Sequence, residues 1–186
     1  MLGKGKIVAF EGLDCSFKET NYKNFIKRLK EEKRMECGYG KDIITESFPR
    51  YNNEISIPLN KWLTGQLNRS VLKYMPSAVN ALYSIDRMDF WLNVNHNNLE
   101  HRQDYLFVFD RYILSSPIYN PISMEKTTAT DVLVDPLQFC VPLPNIVVWM
   151  RMKDFDVIKS IIQEKKNIDE NEKDIEFLKK AWERSE

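Results

Sequence analysis

Cysteine, glycine and histidine are all scarce in this 186-residue chain, which has three, six and two of them. Cys15, Cys37 and Cys140 are odd in number and far apart, which excludes a disulfide framework and points to a reducing compartment, the cytoplasm by default. The few glycines and eight prolines exclude fibrous and low-complexity chains. His96 and His101 lie in a polar stretch without a carboxylate–cysteine set, so they read as solvated and receive no metal role. Neither sign of charge predominates: basic and acidic residues both number 27. No global field draws nucleic acid or an anionic membrane, and any anion site must be built locally. Met1 to Phe10 has no signal-peptide core or cleavage site, and no apolar run approaches the roughly 18 residues of a spanning helix.

What the chain does have is an apolar fraction of 43% and an aromatic fraction of 12%, enough for a buried core in one domain spanning residues 1–186. Short apolar runs end at turn residues: Lys6–Glu11, Asp42–Thr45, Tyr105–Phe109 and Asn145–Met150. Continuous runs of this kind suit parallel strands covered on both faces. Between and after them, Asn21–Lys33, Ile55–Leu67, Ser77–Val94, Phe155–Ile162 and Ile175–Trp182 carry apolar residues at helical spacing. The alternation predicts a three-layer α/β/α fold around a mostly parallel sheet. Gln163 to Lys173, polar and without glycine or proline, is expected to form a lid over residues 163–173.

Directly after the first run comes Glu11-Gly12-Leu13-Asp14-Cys15-Ser16-Phe17-Lys18-Glu19-Thr20. A phosphate-binding loop needs glycines so that amides can close on oxygens, then a lysine for the terminal phosphates and a hydroxyl for Mg²⁺. Gly12 and Lys18 have the right separation. Phe17 stands where the second glycine belongs, Glu19 stands where the hydroxyl belongs, and Thr20 comes one place late. On its own the segment also describes an ordinary βα turn in which Asp14 or Ser16 caps a helix and Lys18 is solvated. Asp110-Arg111-Tyr112 closes another strand at the carboxyl edge where ligands bind in open α/β sheets, and it equally describes a cap with a surface arginine. Phe48-Pro49-Arg50 and the helical Tyr83-Ser84-Ile85-Asp86-Arg87 are as ambiguous in isolation.

Taken together, EGLDCSFKET, SFPRY, YSIDR and DRYILS resemble, in order and approximate spacing, the motifs of the thymidylate kinase family of P-loop nucleoside monophosphate kinases. The resemblance covers most of the chain and implies the P-loop NTPase fold and transfer of the γ-phosphoryl of ATP to dTMP. It implies a phosphate-binding loop of Gly12, Cys15, Ser16, Phe17, Lys18, Glu19 and Thr20, with Lys18 on the donor phosphates and Asp14 near the transfer site. Arg50 and Arg111 would hold the acceptor phosphate, with Arg111 also catalytic. Tyr83 would stack on the thymine, Arg87 would bond its edge, and Phe48, Ser115 and Tyr119 would border base and sugar. Asp110 and Glu19 would hold Mg²⁺. Homodimerisation in that family, with the apolar Leu82, Ile85, Met88, Phe90, Trp91 and Leu92 on one helix, makes a homodimer the expected assembly.

Three departures set the alternatives. Cys15 and Phe17 add Cβ atoms where the loop needs close backbone, so either is strained if it takes a positive φ. The lid segment offers Lys165, Lys166 and Lys173 rather than arginine, and lysine lacks the bidentate fork. The family's fifth strand has no counterpart before Glu186; truncation and evolutionary loss both account for that, and if the chain is complete four strands are expected, with one wall of the adenine pocket missing. An impaired homologue that binds nucleotide without turnover, and a deoxynucleoside kinase, stand beside the dTMP kinase reading.

Overall fold

The computed structural model describes residues 6–31, 42–68, 76–96, 105–119, 140–166 and 168–185; Cys37 and His101 lie outside them. The apolar runs form β1 (Lys6–Gly12), β2 (Asp42–Ser47), β3 (Tyr105–Asp110) and β4 (Ile146–Met150). Among the described residues they make one parallel sheet in the order β2-β3-β1-β4. Register pairs Phe10 with Asp110 and Gly12 with Met150, so the carboxyl ends of β1, β3 and β4 lie side by side.

Alternation along the strands sends successive side chains to opposite faces, and each face meets its own helix. Val8, Phe10 and Val108 pack with Tyr22, Phe25, Ile26 and Leu29 of α1 (Lys18–Glu31). Ile7, Ala9, Phe107 and Phe109 face Phe90, Trp91 and Val94 of α3 (Pro76–His96), joined by Phe48 and Tyr112. The result is the three-layer α/β/α architecture that the sequence predicts. On α3, Phe90 and Trp91 are core, whereas Ile85 and Leu92 remain exposed.

The helical pattern at Ile55–Leu67 resolves into a 3₁₀ turn (Glu54–Ser56) capped by the Asn53 side chain, then α2 (Ile57–Leu63). Pro58 opens α2, where its missing N–H is harmless, and Gly65 at φ 73° follows its end. Helix α1 starts at Lys18, earlier than the apolar spacing from Asn21 suggests. A short α4 (Ser115–Ile118) follows β3. Beyond β4 come α5 (Phe155–Glu164), α6 (Glu170–Lys173) and α7 (Ile175–Arg184), with Ile158, Ile162, Leu178 and Ala181 closing an apolar cluster on Leu13. Within the expected lid stretch, Asp169 and Glu172 form a capping box for α6, and Lys165 pairs with the buried Glu172. Among the described residues no helix is long and apolar enough to cross a membrane.

Candidate functional site

The site forms where the strands end. Gly12, at φ 144°, sits so close to β4 that a Cβ there would lie 2.1 Å from the Met150 carbonyl oxygen. Only glycine fits. From Leu13 the chain turns toward α1, with Ser16 Oγ bonding the Leu13 carbonyl at 2.8 Å. Cys15 and Phe17 take φ values of 59° and 58°, left-handed conformations that an L-residue with a Cβ adopts at a cost of roughly 1–2 kcal/mol each. Alternating hand in consecutive residues turns backbone N–H groups inward as an anion-binding concavity. Phe17 points its ring largely to solvent, and Cys15 is half-buried.

Lys18, buried at the start of α1, pairs with Asp110 at the end of β3. Burial and the Arg111 charge push its ammonium below the usual lysine range, and Asp110 only partly opposes them. Glu19 turns the other way: its carboxylate pairs with Lys23 on the exposed face of α1.

Arg111 holds the turn after β3 at φ 63°. Its guanidinium pairs with Asp14, donates to the Gly12 carbonyl at 3.2 Å and lies over the Tyr119 ring at 5.3 Å. Tyr119 donates to Asp14 at 2.9 Å and accepts from the Asp14 amide at 2.8 Å. Burial would raise the Asp14 carboxyl, but Arg111, Tyr119 and Lys18 outweigh it and hold the group below the usual aspartate range. Beneath this turn lies Glu11, fully buried, accepting from the Tyr112 and Leu114 amides at 3.0 and 2.8 Å and from the Ser115 hydroxyl. Burial raises its carboxyl against those bonds.

Beside the loop opens a cavity of about 520 Å³, solvent at its mouth included. Phe48, Tyr83, Tyr112 and Tyr119 give it aromatic walls, and Asp14, Arg87, Arg111 and Ser115 give it polar ones. Arg87 is itself buried and donates to the Tyr112 carbonyl at 2.9 Å and to Ser116 Oγ at 3.0 Å. The structure therefore brings seven of the eight expected acceptor residues, Asp14, Phe48, Tyr83, Arg87, Arg111, Ser115 and Tyr119, to one cavity. Arg50 stands to the side. Its Nε lies 2.8 Å from Asp86 Oδ1 and its terminal nitrogen 2.6 Å from Asp89 Oδ2, and the neighbouring Tyr51 lines the cavity instead. Asp169 and Asn171, from the stretch expected to be a lid, also reach the lining. Asp169 and Asn171 carry no motif, Tyr51 closes the SFPRY segment without having been given a role, and Glu11 was visible only as part of the loop's leading dipeptide. Among the described residues no group of three His, Cys, Asp or Glu side chains is placed to hold a metal.

A parallel sheet flanked by helices, with a strand–loop–helix turn and a cavity at its carboxyl edge, defines the class: a three-layer α/β/α fold of the P-loop NTPase type. Within that class the chain is similar to the solved structure of thymidylate kinase from Candida albicans. The TM-score is 0.68 at 19% identity, over 98% of this chain and 76% of that one. No family model and no curated protein matches the sequence, so the likeness is one of fold.

Proposed function

We propose that this protein is a nucleotide kinase that transfers the γ-phosphoryl of ATP to a thymidine nucleotide, dTMP, giving dTDP and ADP. The observation that carries the reading is the Gly12–Lys18 loop. Despite Cys15 and Phe17 it keeps left-handed backbone at both positions and delivers Lys18 to Asp110, beside a cavity walled by aromatic rings and two guanidiniums. Phosphoryl transfer asks for positioning and charge stabilisation rather than covalent chemistry. The loop amides and Lys18 would take the donor phosphates. Arg111 would face the transferring group, Asp14 would orient it, Tyr83 would lie on the acceptor base and Arg87 would reach its edge, with Ser115 and Tyr119 at the sugar.

Mg²⁺ is usually held by one or two carboxylates together with substrate phosphates, and Asp110, a hard oxygen donor beside the loop lysine, fits that pattern. Bound there, the ion would neutralise charge on the donor phosphates. Glu19 would first have to leave Lys23. The exposed Ile85 and Leu92 on α3 favour a homodimer, which sedimentation of the full chain would test.

A second reading, a homologue that binds nucleotide without turnover, is favoured by the added Cβ atoms of Cys15 and Phe17 and by the outward Glu19. ADP release separates the two. It is measured with Mg²⁺-ATP alone and with dTMP added. Release that depends on dTMP supports the kinase; release no greater than the ATP-only background sinks it and leaves the binding protein.

A further inference from the structure

The cavity's charge inventory bears on what it accepts. Among the described residues, its lining carries two guanidiniums, Arg87 and Arg111, and two carboxylates, Asp14 and Asp169. These cancel. Arg111 is already paired with Asp14, and Arg87 spends donors on the Tyr112 carbonyl and Ser116. The third guanidinium nearby, Arg50, is held away by two carboxylates. Its amide and Nε both reach Asp86, which also accepts from Ser56 at 2.8 Å, and its terminal nitrogen reaches Asp89. Asp86 is almost fully buried, so this anchor is part of the packing of α3 against the 48–56 turn. Tyr51, and not Arg50, contributes to the cavity lining, and its phenol brings no positive charge. A 5′-monophosphate dianion entering this lining would leave it strongly negative, close to Asp14 and Asp169. An uncharged nucleoside would leave it balanced.

Resting on the proposed kinase reading, we infer that the cavity takes the uncharged nucleoside at least as readily as its 5′-monophosphate, giving the protein a further activity: phosphorylation of a thymidine-type nucleoside at its 5′-hydroxyl. In that step the 5′-oxygen bonds to the γ-phosphorus of ATP as the bond from that phosphorus to the β,γ-bridging oxygen breaks. ADP leaves, and the hydroxyl proton passes to the Asp14 carboxylate and from there to water. The aromatic walls, Arg87 and the two serines of α4 recognise base and sugar whether or not a phosphate is attached.

The test measures binding and turnover separately on the full-length chain. Calorimetry with thymidine and with dTMP, no ATP present, is followed by product analysis with Mg²⁺-ATP and each acceptor. Thymidine is expected to bind as tightly as dTMP or more so, and to yield dTMP. Tyr51→Arg is expected to shift the ratio toward dTMP by about tenfold. Asp169→Asn, which keeps the α6 cap, shifts it the same way by a few-fold, and serves if Tyr51→Arg does not fold. Wild-type binding of dTMP more than about tenfold tighter than thymidine overturns the inference, and phosphorylation of dTMP alone then leaves the kinase reading standing. Thymidine binding without ADP release from any mixture overturns the further activity together with the kinase reading and leaves only the charge argument. Binding of neither compound contradicts both.

Discussion

The two sides of the site are built from different materials. The loop after β1 is a backbone device: left-handed residues at Cys15 and Phe17, one internal side-chain bond from Ser16, and a glycine pressed against β4. The wall formed by the turn after β3 and by α3 is a side-chain device. Glu11 takes two amides and a hydroxyl, Arg111 is clamped by Asp14, and Asp86 gathers Arg50 and Ser56. Left-handed backbone at Arg111 is thus offset by an ion pair and a carbonyl contact, whereas at Cys15 and Phe17 the described contacts are weaker: Cys15 packs against the Leu13 cluster and Asn21 Nδ2 donates to the Phe17 carbonyl at 2.9 Å. Unrepaid strain persists at functional sites when the shape itself is used. Under the proposed function that shape would aim amides at a phosphate.

Each side can be broken in its own terms. Gly12→Ala should be the most damaging change, destabilising by about 4 kcal/mol or more, because the new Cβ meets a backbone carbonyl that cannot yield; urea unfolding reads it. Asp86→Ala leaves the Arg50 guanidinium without its main partner in a buried setting and should cost about 3–5 kcal/mol. A loss under about 1 kcal/mol there would mean that the α3 wall is not held by this network. Phe17→Gly should sharpen the contrast from the other direction. Relief of left-handed strain is offset by glycine's extra unfolded-state entropy, so stability moves by less than about 1 kcal/mol. ATP nevertheless binds several-fold more tightly as the amides close in, and weaker ATP binding in this variant would contradict a phosphate-binding role for the loop. The smallest effect concerns Cys15. Burial raises its thiol from 9.0 to about 11, so at pH 8 it holds about a hundredfold less thiolate than an ordinary cysteine. Iodoacetamide should label the exposed Cys140 well before Cys15, as followed by mass spectrometry.

Much of the fold was legible because parallel strands buried on both faces are short apolar runs, and the four runs became the four strands with shifts of one or two residues. Helix boundaries were less so. Apolar spacing pointed to Asn21 for α1, but the loop geometry starts the helix at Lys18. The Ile55–Leu67 pattern gave no sign that Asn53 would cap a 3₁₀ turn before Pro58, and it ran past Gly65, where the helix has already ended. For the site, seven of the eight expected acceptor residues came together at one cavity, and Arg50 did not. Those defined by distant packing did not announce themselves: Tyr51 faces the cavity because Asp86, 36 positions from Arg50, draws the arginine aside. Asp169 and Asn171 reach the mouth because α5 and α7 pack on Leu13. No spacing rule encodes either.

The central claim is that the Gly12–Lys18 loop binds donor phosphates in spite of its side chains. Calorimetric titration of the full-length protein with Mg²⁺-ATP, beside its Lys18→Met variant, tests it most directly. The account predicts saturable binding to the wild type, weakened at least about tenfold when the buried ammonium is removed. No binding to the wild type, or equal affinity in both proteins, would contradict it.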